Sequence, residues 1–143
     1  GGKSIAGTLA YGQFKSATGL TLNGYLGGVS VPIGNHKLSA TYGSHEAETT
    51  ATARTRNTTL SLGGTLALTN SIDLVLGHYR IERTRTALAN DGYNRTIAVL
   101  EQKLSRRTRI YGELDLTNWN NNYQGAANNS NATGLSVGIL HTF

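Results

Sequence analysis

The sequence predicts an all-β fold, a transmembrane antiparallel β-barrel to which this chain contributes about eight strands. Three observations predict it. Apolar residues alternate with small or polar ones at a period of two, the pattern of strands with one apolar face. The alternating segments run about ten residues, the length a tilted strand needs to cross a bilayer. Short turns and longer polar links follow one another in strict alternation along the chain. Helical spacing is rare, and Gly breaks the windows where it would have to appear.

The strands follow in order. In the first segment Ile5, Gly7, Leu9 and Tyr11 stand opposite Ser4, Ala6, Thr8 and Ala10. Tyr25, Gly27, Val29 and Val31 form the apolar parity of the second, and Leu38, Ala40 and Tyr42 that of the third. The fourth sets Leu60, Leu62, Gly64, Leu66 and Leu68 against Thr59, Ser61, Gly63, Thr65 and Ala67. A fifth strand runs from about Ser71 to Arg83 with divided parity. Its Ile72, Leu74 and Leu76 favour one face, its Val75, Tyr79 and Ile81 the other. The sixth spans about Arg95 to Leu104, with Ala98, Leu100 and Leu104 opposite Glu101 and Lys103. In the seventh, Ile110, Gly112, Leu114 and Leu116 alternate with Tyr111, Glu113, Asp115 and Thr117. The last carries Leu135, Val137, Ile139, His141 and Phe143 on one parity.

The links separate a membrane barrel from a soluble one. Tight turns are expected at Ile33-Gly34-Asn35, Thr69-Asn70-Ser71 and Ser105-Arg106-Arg107, and long polar links at Glu46–Arg56, Thr84–Asn94 and Asn118–Thr133. Short turns then gather at one end and long loops at the other, as in outer-membrane barrels. The non-apolar parity is mostly Ser, Thr and Gly, sparse for a surface in bulk water but suited to a wet lumen. The apolar parity suits lipid, where a closed ladder satisfies the backbone. Tyr11, Tyr25, Tyr42 and Tyr79 are expected in an interfacial girdle.

Composition narrows the function. The chain has 143 residues, a net charge of +5, 18 Gly, and no Cys or Met. Without Cys there is no disulfide, thiolate metal site or thiol nucleophile. His36, His45, His78 and His141 lack partners at metal-ligand spacing, so no metal or other cofactor is expected. No nucleophile elbow occurs, and no enzyme activity is expected. The basic residues form no dense stripe interleaved with aromatics, so nucleic acid is not an expected partner.

Three segments carry a family resemblance. Tyr25-Leu-Gly-Gly-Val-Ser-Val-Pro-Ile-Gly-Asn-His-Lys-Leu-Ser-Ala-Thr-Tyr-Gly43 resembles a strand–turn–strand of Gram-negative general porins, the beta-proteobacterial type above all. Leu104-Ser-Arg-Arg-Thr-Arg-Ile-Tyr111 is similar to their L-S-K-R-T-x-x-Y periplasmic turn. Val137-Gly-Ile-Leu-His-Thr-Phe143 is similar to their closing strand. The resemblance implies a water-filled channel for small hydrophilic solutes in a sixteen-stranded barrel. It also implies a homotrimer in the cell outer membrane, in contact with lipid, lipopolysaccharide and the outer-membrane assembly machinery. It covers the C-terminal half of a porin, and nothing here resembles the family's opening strand or constricting loop. Residues 1–143 are therefore expected to form one piece of a larger barrel, and the missing Met agrees. The competing expectation is a complete eight-stranded barrel with a structural or adhesive role.

The candidate residues follow from face and charge. Lys37, Arg95, Glu101, Lys103, Glu113 and Asp115 fall on the polar parity and are expected to line the pore. Arg80 is placed with them, because the opposite register would aim it at lipid, at a cost of about 2–4 kcal/mol at mid-depth. Their basic bias favours anions. Arg54, Arg56, Arg83 and Arg85 are expected to form a basic vestibule, or to meet lipopolysaccharide sugars. By resemblance, Val137, Ile139, His141 and Phe143 form the signal read by the assembly machinery.

Overall fold

The computed structural model describes residues 4–123 and 129–143. Eight strands form one antiparallel sheet in sequence order. They are β1 (Ala6–Lys15), β2 (Thr21–Ile33), β3 (His36–Glu48), β4 (Arg54–Ala67), β5 (Ile72–Arg85), β6 (Asp91–Lys103), β7 (Thr108–Asn120) and β8 (Asn131–His141). Each strand pairs with its neighbours in the chain, and β1 and β8 pair on one side only. The described sheet is therefore open, so the complete eight-stranded barrel has no counterpart here.

The links alternate as expected, but the long ones are shorter than expected. Residues 34–35, 68–71 and 104–107 make the turn end; residues 16–20, 49–53, 86–90 and 121–130 make the loop end. Gly34, with φ 61°, takes the first central position of the two-residue hairpin, where a side chain would strain. Of the expected long links Glu46–Arg56 and Thr84–Asn94, about half of each is strand. Opposite charges in register explain the first: Glu46 stands across from Arg56 and Glu48 across from Arg54. Such cross-strand pairs support a polar ladder as apolar pairs support a buried one. The third expected link, Asn118–Thr133, shrinks to 121–130, and its residues 124–128 lie outside the described ones.

Because paired residues share a face, the ladder sorts every side chain. One face carries Leu9, Val29, Leu38, Leu60, Leu62, Leu74, Leu100, Leu114, Leu135 and Val137; the other carries Thr8, Ser39, Ser61, Asp73, Glu101, Glu113 and Ser136. Among the described residues no apolar side chain is buried, and Leu9 and Val137 are 91% and 83% exposed. Continuous exposed leucine on this scale marks a membrane surface. Among the described residues no helix is long and apolar enough to span a membrane. Any crossing is made by strands, with lipid taking the place of a core.

Two expectations are corrected by register. β5 pairs without a bulge from Ile72 to Arg85, and Leu74 lies between Leu66 and Leu100. That fixes the leucine face of β5, and the period of two then carries His78, Arg80 and Glu82 onto the same face. Arg80 is thus on the apolar face, not with the pore candidates. Tyr79 moves the other way, beside Ser61 and Arg95 on the polar face, and leaves the expected girdle. Tyr11, Tyr25 and Tyr42 do share the apolar face, with Tyr25 and Tyr42 rings 6.1 Å apart.

Candidate functional site

The polar face concentrates its charge on β5, β6 and β7. Arg95 Nε donates to Asp115 Oδ1 and Oδ2 at 3.0 and 2.9 Å, bridging β6 to β7. Lys103 Nζ lies 2.6 Å from Asp73 Oδ2, and Arg109 Nη1 donates to Glu101 Oε1 at 3.0 Å. Lys37 on β3 and Glu113 on β7 make no ion pair among the described residues. Lys37 instead stands among Ser39, Ser61 and Thr65 in a shallow hollow. Lys37, Arg95, Glu101, Lys103, Glu113 and Asp115 therefore share one face, as sequence parity predicts.

At the loop end the same face closes around a buried acid. Arg83 Nε and Nη2 donate to Asp91 Oδ1 and Oδ2 at 2.8 and 2.6 Å, and Arg85 Nη2 donates to Oδ2 at 2.8 Å. The Asp91 side chain is 2% exposed. The Arg83 guanidinium lies 4.5 Å from the Tyr123 ring centre, and that ring meets Tyr93 at 5.3 Å. A charge so buried is tolerated because two fixed cations and the fork geometry of Arg satisfy it.

The four arginines of the expected vestibule do not form one cluster. Arg83 and Arg85 lie on the polar face, while Arg54 and Arg56 lie on the loop-end rim of the apolar face. There Arg54 Nη1 and Arg56 Nη2 reach Glu46 at 3.3 and 2.7 Å. Arg80, farther along that face, pairs with Glu82. Val137, Ile139 and His141 line the apolar face of β8. His141 Nδ1 meets Thr108 Oγ1 at 2.9 Å, and the Phe143 ring, beyond the strand, meets His141 edge-on at 4.8 Å.

Sequence reasoning passed over several groups on the polar face. Tyr93, Trp119 and Tyr79 stand there with Asp73, Asp91 and Arg109. Tyr111 does too, lying against Gly138. Tyr111 and Asp73 were legible from alternation with the leucines beside them. Asp91 was not, because it lies in a stretch read as loop.

One leucine face, one charged face, and a ladder with no core between them define the wall of a membrane β-barrel. A profile of Gram-negative porins matches residues 1–122, and the chain belongs to that family, whose members lie in the outer membrane. No curated protein matches. Among solved structures, the in-vitro folded OmpT, an outer membrane protein of Vibrio cholerae, is similar at TM-score 0.73 and 15% identity over 85% of this chain and 41% of that one. Its trimer form gives TM-score 0.70 at 15% identity over 86% and 42%. A mutant of that protein lacking loop L8 gives 0.73 at 15% identity over 85% and 38%. The likeness shows the fold, and the chain spans about two fifths of the length of these structures.

Proposed function

We propose that this chain forms about half the wall of a sixteen-stranded outer-membrane barrel that passes small hydrophilic solutes and ions. The observation that carries this reading is the two-faced sheet: charges and hydroxyls on one side, leucine on the other. Open edges at β1 and β8 support further strands, since an unpaired edge in lipid leaves backbone groups unsatisfied. Selection in such a channel is electrostatic and needs no catalysis. The lining charges are Lys37, Arg95, Glu101, Lys103, Glu113 and Asp115, joined by Asp73 and Arg109, with Arg83, Arg85 and Asp91 at the mouth. Cations exceed acids on this face by one, which gives a small preference for anions. Arg54, Arg56 and Arg80 face outward, toward lipopolysaccharide at the rim. The working form is a homotrimer.

Single-channel recording in planar bilayers tests the reading. The barrel extracted from the outer membrane is expected to give stable steps of current in KCl; a folded barrel that carries none refutes a channel. Phe143 and the apolar parity of β8 serve as the assembly signal. Deleting Phe143 is expected to leave the protein unassembled in the periplasm, and unchanged insertion on cell fractionation removes that role.

A further inference from the structure

The leucine face has a hollow toward its turn end. Gly27 and Gly64 of that face lie under Leu9 and Leu38, but a methyl group on Gly112 would meet nothing within 4 Å. Gly112 stands on β7 between Leu100 of β6 and Val137 of β8. The gap opens a hollow of about 530 Å³ among Leu100, Ile110, Val137 and Ile139, with Gln102 at its turn-side end.

The turn at 104–107 lies just beyond this hollow. The other turn-end links, 34–35 and 68–71, carry no charge, while this one holds Arg106 and Arg107. Both are exposed and pair with no carboxylate among the described residues. The cations around them differ: Lys103 is held by Asp73 and Arg109 by Glu101. At the loop end of the leucine face Arg54, Arg56 and Arg80 each have a glutamate. The backbone of the turn is tied down. Ser105 Oγ accepts the N–H groups of Arg107 and Thr108 at 3.1 and 3.0 Å. Leu104 N–H donates to Thr108 O, and Thr142 N–H to Arg107 O, both at 2.9 Å. Two uncompensated guanidinium groups are thus presented on a fixed turn.

Depth decides what they meet. Arg107 is three positions from Ile110, about 10 Å along the strand, or about 7 Å of depth at a tilt of about 45°. The headgroup layer beside the hydrocarbon core is about 5–8 Å thick. With the leucine band in lipid, the two arginines therefore stand among phosphates. Short turns of outer-membrane barrels face the periplasm, so the leaflet is the one built of glycerophospholipid.

We infer that turn and hollow form one binding site for an anionic glycerophospholipid. Its phosphate lies between Arg106 and Arg107, whose planar forks match phosphate oxygens. An acyl chain runs over Gly112 between Leu100 and Val137. A negative headgroup is favoured because no described carboxylate answers the two cations. The site is on the leucine face and does not depend on the channel reading.

Native mass spectrometry of the assembled barrel, mixed in neutral detergent with dioleoyl phosphatidylglycerol or dioleoyl phosphatidylcholine, tests it. The wild type is expected to retain phosphatidylglycerol about tenfold more strongly, since each Arg at an anionic headgroup contributes severalfold. Arg106→Gln with Arg107→Gln is expected to abolish that preference. Gly112→Leu fills the hollow and is expected to weaken retention of both lipids about threefold or more. Equal retention of the two lipids by the wild type overturns the site, as does a preference that survives the double Gln variant. Unchanged retention by Gly112→Leu overturns it too, because the hollow would then hold no chain. Splitting of an oligomer by Gly112→Leu gives the hollow to a second copy and overturns lipid as its occupant. A barrel that binds the lipid as expected yet carries no ion current overturns the channel and supports this site.

Discussion

Lys37→Glu reverses the charge of the one polar-face cation that has no acid partner among the described residues. Its neighbours on the polar face are Ser39, Ser61 and Thr65, so no ion pair is lost and the fold is expected to hold within about 0.5 kcal/mol. The effect on permeation follows from Coulomb's law. An ion passing about 7 Å from a unit charge in water feels about 0.6 kcal/mol, close to RT. Salt at about 0.1 M, with a Debye length of about 10 Å, halves that interaction. The swap changes the charge by two units and acts oppositely on anion and cation. The anion-to-cation permeability ratio is therefore expected to fall about sevenfold. Reversal potential under a KCl gradient reads that ratio directly. A change smaller than about twofold would refute the placement of Lys37 at the pore wall, because no lining charge at that distance can be so weak.

Other consequences concern stability and register. Asp91→Ala leaves Arg83 and Arg85 facing each other without their acid; breaking a fully buried pair costs about 3–5 kcal/mol. Because the two guanidinium side chains are 20% and 32% exposed, about 2–3 kcal/mol is expected, read as a lower urea midpoint in lipid vesicles. Gly138→Val pushes a side chain into the Tyr111 ring and is expected to cost about 1–3 kcal/mol, most of it recovered by adding Tyr111→Ala. If the second change recovers nothing, the ring does not rest on that glycine. Arg80→Leu is expected to leave conductance and ion selectivity unchanged, since Arg80 shares the leucine face. A shift in selectivity as large as that of Lys37→Glu would put Arg80 in the lumen and reverse the register of β5.

The fold was legible because a sheet without a core writes its faces into the sequence. Lipid demands leucine on one parity and water permits serine on the other, so Leu60–Leu68 and Ile110–Leu116 announce their faces without any knowledge of partners. Pairing is different. Arg95 and Asp115 are twenty residues apart and meet only because β6 and β7 slide into one register, which nothing local to either residue sets. Arg83 and Asp91 meet because a polar segment read as loop continues as strand. Arg80 shows why a correct energy can give a wrong placement. The cost of a cation in lipid applies at mid-depth, and depth depends on position along the strand. Arg80 lies past Leu74, Leu76 and His78, with Leu60 opposite on β4, Asn94 opposite on β6 and Glu82 as its ion partner. At the end of the leucine band a long side chain reaches polar surroundings and avoids most of that cost. The three leucine-side residues Ile72, Leu74 and Leu76 have no such escape, so they decide the register and Arg80 follows. The same logic divides the rim. Arg54 and Arg56 follow the leucine parity of β4, and Arg83 and Arg85 follow the polar parity of β5. What charge alone makes one basic vestibule is, in the ladder, two separate sites on opposite faces of the sheet.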